Sequence, residues 1–519
     1  DSFNQIGLER KNEVYEKFTN QGASTYLPIP FCVTDRGIGL YVNTEESFSF
    51  CSELSENNVT LNIPNNFAPE FFSGTPLEIL EQLTRITGKP KLPPDWAFGV
   101  WISANRWNNQ DVVEEQVQAA IHYGMKPSVI VLEAWSDETT FYRFNEEHFP
   151  NPKGMIDKLH EQGVRLILWQ IPVLKTLEPG QVCIQHEEDR ACSIENKFVV
   201  TNPDGSPYLI PKGRWFGRSM VPDFTNPAAR DWWFGKRQYL LDMGVDGFKT
   251  DGGEFIYDDN ACFFDGRTGL QMRNGYAMAY EKAYSDFIGN DRVLFSRAGY
   301  IGSQSATLHW AGDQQSTWLE LRHVLTAGLN AGLSGLSYWG FDIAGFAGEL
   351  PSTELYLRAF ALACFSPIMQ WHSEPLGGQF SGVLSSNDMV NDRSPWNIAK
   401  RTNSPEVISL CRNLCEERVK LFDYINEQAR TASKTGRPMM AALIIDWPQD
   451  ESVFKIDDEY MFGSALLVAP ILEQSETSRE VYLPKGVWRD YWSGEIINGP
   501  CHISKNCVPG EILVWRLEI

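Results

Sequence analysis

No apolar run in this 519-residue chain reaches the roughly 20 residues that a bilayer-crossing helix needs. No membrane partner is therefore expected. Basic runs and basic stripes are missing too. Lys and Arg number 45 against 67 Asp and Glu, for a net charge of −22. Binding nucleic acid calls for the opposite balance, because phosphates must be neutralised. An acidic surface suits solubility and a neutral substrate. The ten cysteines, at 32, 51, 183, 192, 262, 364, 411, 415, 501 and 507, include no CxxC pair and no zinc-like cluster. Cys183 with Cys192, and Cys501 with Cys507, could each close a short loop, and spacing leaves that open. Asp1, Ser2, Phe3, Asn4 and Gln5 offer neither a basic n-region nor an apolar h-region, so no signal peptide is visible. Asn58-Val59-Thr60 is a lone glycosylation sequon. A reduced, cytoplasmic setting is expected, with secretion as the alternative. Internal repeats and low-complexity tracts are absent.

What is present can build a large core. Hydrophobic residues make up 43% and aromatics 13%, with 17 Trp. Exposed indoles stack on sugar faces, but indoles are more often core filler. Residues 1–88 read as an N-terminal β-sandwich portion, incomplete at its start. Tyr26–Thr34 and Gly39–Asn43 are short β-rich runs joined by the turn signal Asp35-Arg36-Gly37, and Phe48–Cys51 and Val59–Ile63 continue them. The Pro-rich stretch Gly88–Asp95 is a stiff linker.

Residues 89–432 read as a catalytic (β/α)8 TIM barrel. Eight apolar strand-like runs lie at 97–103, 129–133, 165–171, 244–251, 292–298, 307–313, 335–343 and 366–372. Helical periods such as Val112–Tyr123, Met155–Gln162 and Ala228–Met243 fall between most of them. Apolar strands alternating with helices imply a parallel sheet, and eight imply a closed barrel. The fifth and sixth runs are too close for a full crossover helix. The long gap from 171 to 244 predicts an insertion near 172–220. Residues 433–519 read as a C-terminal antiparallel β-sandwich, from the runs Leu466–Pro470, Val481–Leu483, Val487–Trp492 and Ile512–Leu517.

The chemistry sits at strand ends. Val245 and Phe248 lead into Asp251, followed by two glycines and Glu254. A buried carboxylate is unfavourable unless something uses or pairs it, and the C-terminal end of a barrel strand is where catalytic groups sit. Asp313 ends the run Leu308-His309-Trp310-Ala311-Gly312. Two such carboxylates are the equipment for breaking a glycosidic bond. Asp251 reads as the nucleophile, kept ionised by Lys249 two residues back on the same strand face. Asp313 reads as the acid, its pKa raised by apolar neighbours. The alternatives are a structural ion-pair network of Lys249, Asp251 and Glu254, and a simple turn at Asp313. Glu133, Arg297, Asp342 and His372 also follow apolar runs. With Trp101, Trp135, Trp169, Trp310 and Trp339 they describe a carbohydrate cavity. The acidic residues 258, 259 and 265 space poorly for calcium. No metal and no cofactor is expected.

The wording of the chain resembles glycoside hydrolase family 31. The strings are KLPPDWAFG at 91–99, VPDFTNPAAR at 221–230, DGFKTDGGE at 246–254, FSRAGY at 295–300, WAGD at 310–313, GFDIAGF at 340–346, MQWHSE at 369–374 and YMFGSALLVAP at 460–470. The resemblance implies a retaining mechanism on an α-linked sugar, with Asp251 as nucleophile and Asp313 as acid/base. It also implies a sugar-binding set of Lys249, Arg297, Asp342 and His372, to which the strand-end reading adds Glu133, Trp135, Trp169 and Trp310. Typical α-glucosidases of the family carry DIDY after the second strand. This chain has Glu133-Ala134-Trp135-Ser136, and an indole cannot replace a carboxylate because it only donates. A ring there would crowd the exocyclic carbon of a hexose, which favours an α-xyloside, or stack on a differently oriented sugar such as an α-galactoside. The expected function is thus a retaining exo-α-glycosidase acting on non-reducing-end sugars, with a small-molecule carbohydrate as partner and homo-oligomerisation open. The alternatives are an α-glucosidase, a transglycosylase or lyase, and an inactive sugar-binding subunit.

Overall fold

The computed structural model describes residues 9–19, 21–22, 24–55, 58–62, 67–306, 308–374 and 390–518. Residues 1–5, read for a leader, lie outside them, as do Ile63 and Thr307 at the edges of two expected strands.

The centre is an eight-stranded parallel barrel. Its strands are Val100–Ser103, Val129–Leu132, Arg165–Gln170, Gly247–Thr250, Val293–Ser296, Leu308–Trp310, Trp339–Gly340 and Met369–Trp371, and the first seven are paired in chain order. The eighth pairs with the first, Gln370 opposite Trp101. A single bridge, Asp342 to Gln370, joins seventh to eighth and closes the ring. The strands are mostly apolar because they are covered on both faces, and seven of them are buried at every position. Gly247 lets two strands approach closely: a Cβ there would lie 2.0 Å from the Val293 carbonyl oxygen. At the seam, the buried Arg418 guanidinium donates to the carbonyls of Phe98, Cys364, Ser366 and Pro367. One side chain thereby fastens the entry of the first strand to the entry of the eighth.

Two departures from the expected pattern have physical causes. The helical period at 228–243 is two helices, Pro227–Gly235 and Gln238–Met243. Between them the buried Arg237 turns its Nε to Gln170 Oε1 at 2.6 Å and lays its guanidinium 3.7 Å from the Trp233 ring. The short fifth-to-sixth connection holds only the 3-10 turn Ser303–Ser305. The helix Pro76–Thr87, which precedes the barrel, comes in beside it: a Cβ on Gly88 would strike Ser305, and one on Gly335 would meet both Thr84 and Gln304.

Outside the barrel, the described residues form three antiparallel sheets. Two of three strands each lie at the N-terminal side: Glu9–Asn12, Phe48–Ser55 and Asn58–Asn62, then Phe31–Val33, Ile38–Val42 and Pro69–Ser73. The C-terminal sheet has six connected strands, in the order Met440–Ala442, Tyr460–Phe462, Leu466–Ala469, Leu513–Glu518, Ser478–Asp490 and Ile496–Asn506. The insertion carries the helix Ile184–Glu195. Cys183, Cys192, Cys501 and Cys507 are free thiols, so neither short loop is disulfide-closed. No helix among the described residues is long and apolar enough to cross a membrane.

Candidate active site

Asp251 stands one residue beyond the fourth strand, its N–H donating to the Gln170 carbonyl at 2.9 Å. Three donors converge on its carboxylate. Arg297 Nε reaches Oδ1 at 2.6 Å, the Gly252 N–H reaches Oδ1 at 2.9 Å, and Trp169 Nε1 reaches Oδ2 at 2.9 Å. Burial alone would raise the pKa of this carboxyl. The charges of Arg297 and Lys249, with the Trp169 and Gly252 N–H groups, outweigh burial and hold it below the usual carboxylate range.

Asp313 behaves in the opposite way. Burial, and then the negative charge of Asp251, push its carboxyl up to about 8 against the opposing pull of Arg297 and Lys249. At neutral pH one carboxyl is therefore an anion and the other keeps its proton. That is the division of labour between a nucleophile and an acid.

The remaining polar groups form a chain around this pair. Lys249 Nζ donates to Glu133 Oε1 at 2.6 Å and lies 4.5 Å from the Trp310 ring centroid. His372 Nε2 is 3.3 Å from the same Glu133 oxygen. Burial and the neighbouring Lys249 charge hold the His372 pKa well below its ordinary value, so the imidazole is neutral. Burial pushes Glu133 up to about 7 despite Lys249. Asp342, raised by burial to about 6, accepts from Gln370 Nε2 at 2.7 Å through Oδ1. Its Oδ2 has no hydrogen-bond partner among the described residues.

The indoles divide. Trp169 and Trp310 stand beside the carboxylates and Lys249. Trp135 departs from its expected place: it has no exposed surface, and its N–H is committed to the Trp169 carbonyl at 2.9 Å. It therefore buttresses Trp169 and offers no face to a sugar. Trp101 is core, bonded to the Ala97 carbonyl and packed on Phe295. Trp339 lies over Gly328 of the outer helix Trp318–Leu333.

Two features were not legible in the sequence. Glu254 accepts from Arg297 Nη2 at 2.6 Å, so one guanidinium bridges two carboxylates. Tyr26 and Phe18 come from the N-terminal segment, and Trp215 from the insertion, to surround that guanidinium. The acidic residues first read against a calcium loop are engaged locally, Asp259 with Arg273 and Asp265 with Arg267. No His, Cys, Asp and Glu grouping among the described residues could hold a metal ion. A cleft of about 910 Å³ among insertion residues, including Asn202 and Tyr208, contains none of the predicted site residues.

Comparison with known proteins places this geometry. The TIM-barrel domain of glycosyl hydrolases family 31 matches residues 90–428, and the family's C-terminal domain matches 436–514. The chain belongs to glycosyl hydrolase family 31. It is 38% identical to an isomaltosyltransferase of Sporosarcina globispora, over 95% of this chain and 47% of that protein. It is 35% identical to a 1,3-alpha-isomaltosidase of Kribbella flavida, over 99% of this chain and 74% of that one. A cycloalternan-degrading enzyme from Trueperella pyogenes, solved with a covalent intermediate, superposes with a TM-score of 0.92 at 36% identity, covering 99% of this chain and 74% of that one. The chain thus spans about half the length of the first of these relatives.

Proposed function

We propose that this family 31 chain is a retaining α-glycosidase that takes an isomaltosyl unit from the non-reducing end of an α-glucan. The observation that carries the chemistry is the contrast between two neighbouring carboxyls: Arg297, Trp169 and the Gly252 N–H grip Asp251 and hold its pKa down, while burial and the Asp251 charge push Asp313 up. An Asp251 oxygen attacks the anomeric carbon while the bond to the leaving oxygen breaks, and Asp313 gives that oxygen its proton. The Asp313 carboxylate then takes a proton from water or from a sugar hydroxyl. The oxygen so activated displaces Asp251 and restores both groups. Water gives hydrolysis and a sugar hydroxyl gives transfer.

The relatives' names supply the substrate reading, since two of them act on isomaltosyl units. The case for an α-xyloside or α-galactoside rested on a ring crowding the pocket, and Trp135 has no surface there. The lack of a second carboxylate at position 135 still sets this pocket apart from a plain α-glucosidase.

Two measurements test the proposal. Asp251→Ala is expected to lower kcat by at least about 10⁴-fold. Asp313→Ala is expected to spare a glycosyl fluoride, whose leaving group needs no proton, while losing activity on alkyl glycosides. Equal losses on both would sink the role assignment. On nitrophenyl α-glycosides, the isomaltoside should exceed the glucoside, xyloside and galactoside in kcat/KM and release disaccharide. A xyloside or galactoside turned over as well as the isomaltoside would sink the substrate reading. Added acceptor sugar, followed by product analysis, separates transfer from hydrolysis.

A further inference from the structure

Arg297 is buried at 1% exposure, and three rings from outside the barrel sheet enclose its guanidinium. The Tyr26 ring centroid lies 4.0 Å from Cζ, Phe18 at 5.4 Å and Trp215 at 5.5 Å. Phe18 and Trp215 meet edge to face at 5.2 Å. The segment carrying Tyr26 is fastened in several places. The Tyr26 hydroxyl donates to the Lys17 carbonyl at 2.5 Å, and the Gly299 N–H donates to the Tyr26 carbonyl at 3.1 Å. Glu16 accepts from the Tyr257 hydroxyl at 2.5 Å and from the Trp215 N–H at 3.3 Å.

The same ring also touches the strand end that carries the second carboxyl. Gly312, at φ +88°, comes so near that an added Cβ would lie 2.5 Å from Tyr26 Cε2. Asp313 is the next residue. Tyr26 therefore rests on the arginine that grips Asp251 and on the residue that precedes Asp313.

We propose that Tyr26 is a positioning residue: by keeping water from Arg297 and from the Gly312–Asp313 turn, it sets the electrostatic surroundings of the two carboxyls. This rests on the reading of Asp251 and Asp313 as nucleophile and acid. The physical reason is dielectric. A guanidinium shielded from water acts on its neighbours far more strongly than a wetted one. The groups acting on Asp313 are Asp251 and Asp342, which raise its pKa, and Arg297 and Lys249, which lower it; burial exceeds them all. Wetting the turn therefore lowers the Asp313 pKa. The charges acting on the Tyr26 phenol are those of Arg297, Asp313, Glu254 and Asp251, and burial keeps the phenol itself neutral.

The test is the pH dependence of kcat/KM on an alkyl α-isomaltoside for wild type, Tyr26→Ala, Tyr26→Leu and Tyr26→Phe. Tyr26→Ala is expected to move the alkaline limb down by about one pH unit. It should also lower kcat roughly 10- to 100-fold, more than it changes KM. Tyr26→Phe keeps the ring, loses only the bond to Lys17, and should keep the limb in place. Tyr26→Leu fills part of the space and should shift the limb partway; it carries the test if the Ala variant does not fold by circular dichroism. An unmoved limb in whichever of the Ala and Leu variants fold overturns the proposal, whatever happens to kcat, and so does a Phe variant shifted as far as Ala. Failure of the underlying acid assignment shows elsewhere, as an alkaline limb that wild type retains on a glycosyl fluoride.

Discussion

Asp251 and Asp313 are the same side chain in two environments, and what differs is whether the neighbouring charges outweigh burial. For Asp251 the Arg297 and Lys249 charges win; for Asp313 burial and the Asp251 charge win. The pH profile follows with a definite sign. Productive enzyme needs Asp251 ionised and Asp313 protonated. On an alkyl glycoside, kcat/KM should fall as pH rises through about 8, where Asp313 loses its proton. The Asp251 carboxylate itself should bring a fall on the acid side only below the ordinary Asp value of about 3.9, because its pKa is lowered. On a glycosyl fluoride the first step needs no proton, so the alkaline limb of kcat/KM should vanish. A fluoride profile that keeps this limb would assign it to some other group.

At the level of elements, the barrel strands could be read from the sequence because burial on both faces leaves uninterrupted apolar runs. The polar residues directly after those runs gave the carboxylates, Arg297 and His372 for the same reason. Other elements sent no such signal. Ile496–Asn506 alternates between exposed and half-exposed positions along its whole length, so it has no apolar face to detect. Met440–Ala442 is simply short. Tyr26 reaches the site by tertiary packing from outside the barrel, which no local pattern encodes. Nor does spacing tell an indole that packs against Lys249 from one that packs on a helix, hence the different fates of Trp310 and Trp339. Gly247 tests how far strand spacing sets the catalytic geometry. Gly247→Ala would force a methyl against the Val293 carbonyl oxygen. It should destabilise by roughly 1–3 kcal/mol, seen as a lower urea midpoint. It should also lower kcat in the folded fraction, since Asp251 is four residues further along that strand. A variant as stable and as active as wild type would mean that this contact is easily relieved.

Across the whole molecule, the C-terminal sheet is attached to the barrel through buried polar contacts as well as apolar packing. Arg358, on the barrel helix Thr353–Cys364, is 2% exposed. Its Nη1 donates to the Val508 carbonyl at 2.9 Å and lies 3.2 Å from Cys507 Sγ; its Nη2 donates to the Glu476 and Cys507 carbonyls at 2.8 Å each. Truncation would take this donor from the Glu476 and Cys507 carbonyls, while the Val508 carbonyl keeps the Glu511 N–H at 3.0 Å. Buried acceptors left without partners cost about 1–3 kcal/mol each where water cannot reach them. Arg358→Ala should therefore lower the melting temperature by several degrees. Lys should rescue little of it, since one ammonium cannot reproduce the planar fork. Arg358 has no contact with the carboxylate pair, so kcat measured well below the melting transition should hold at the wild-type value. A loss of kcat at that temperature would show that the sheet's seating is transmitted to the catalytic end of the barrel, and that the C-terminal sheet takes part in catalysis as well as in stability.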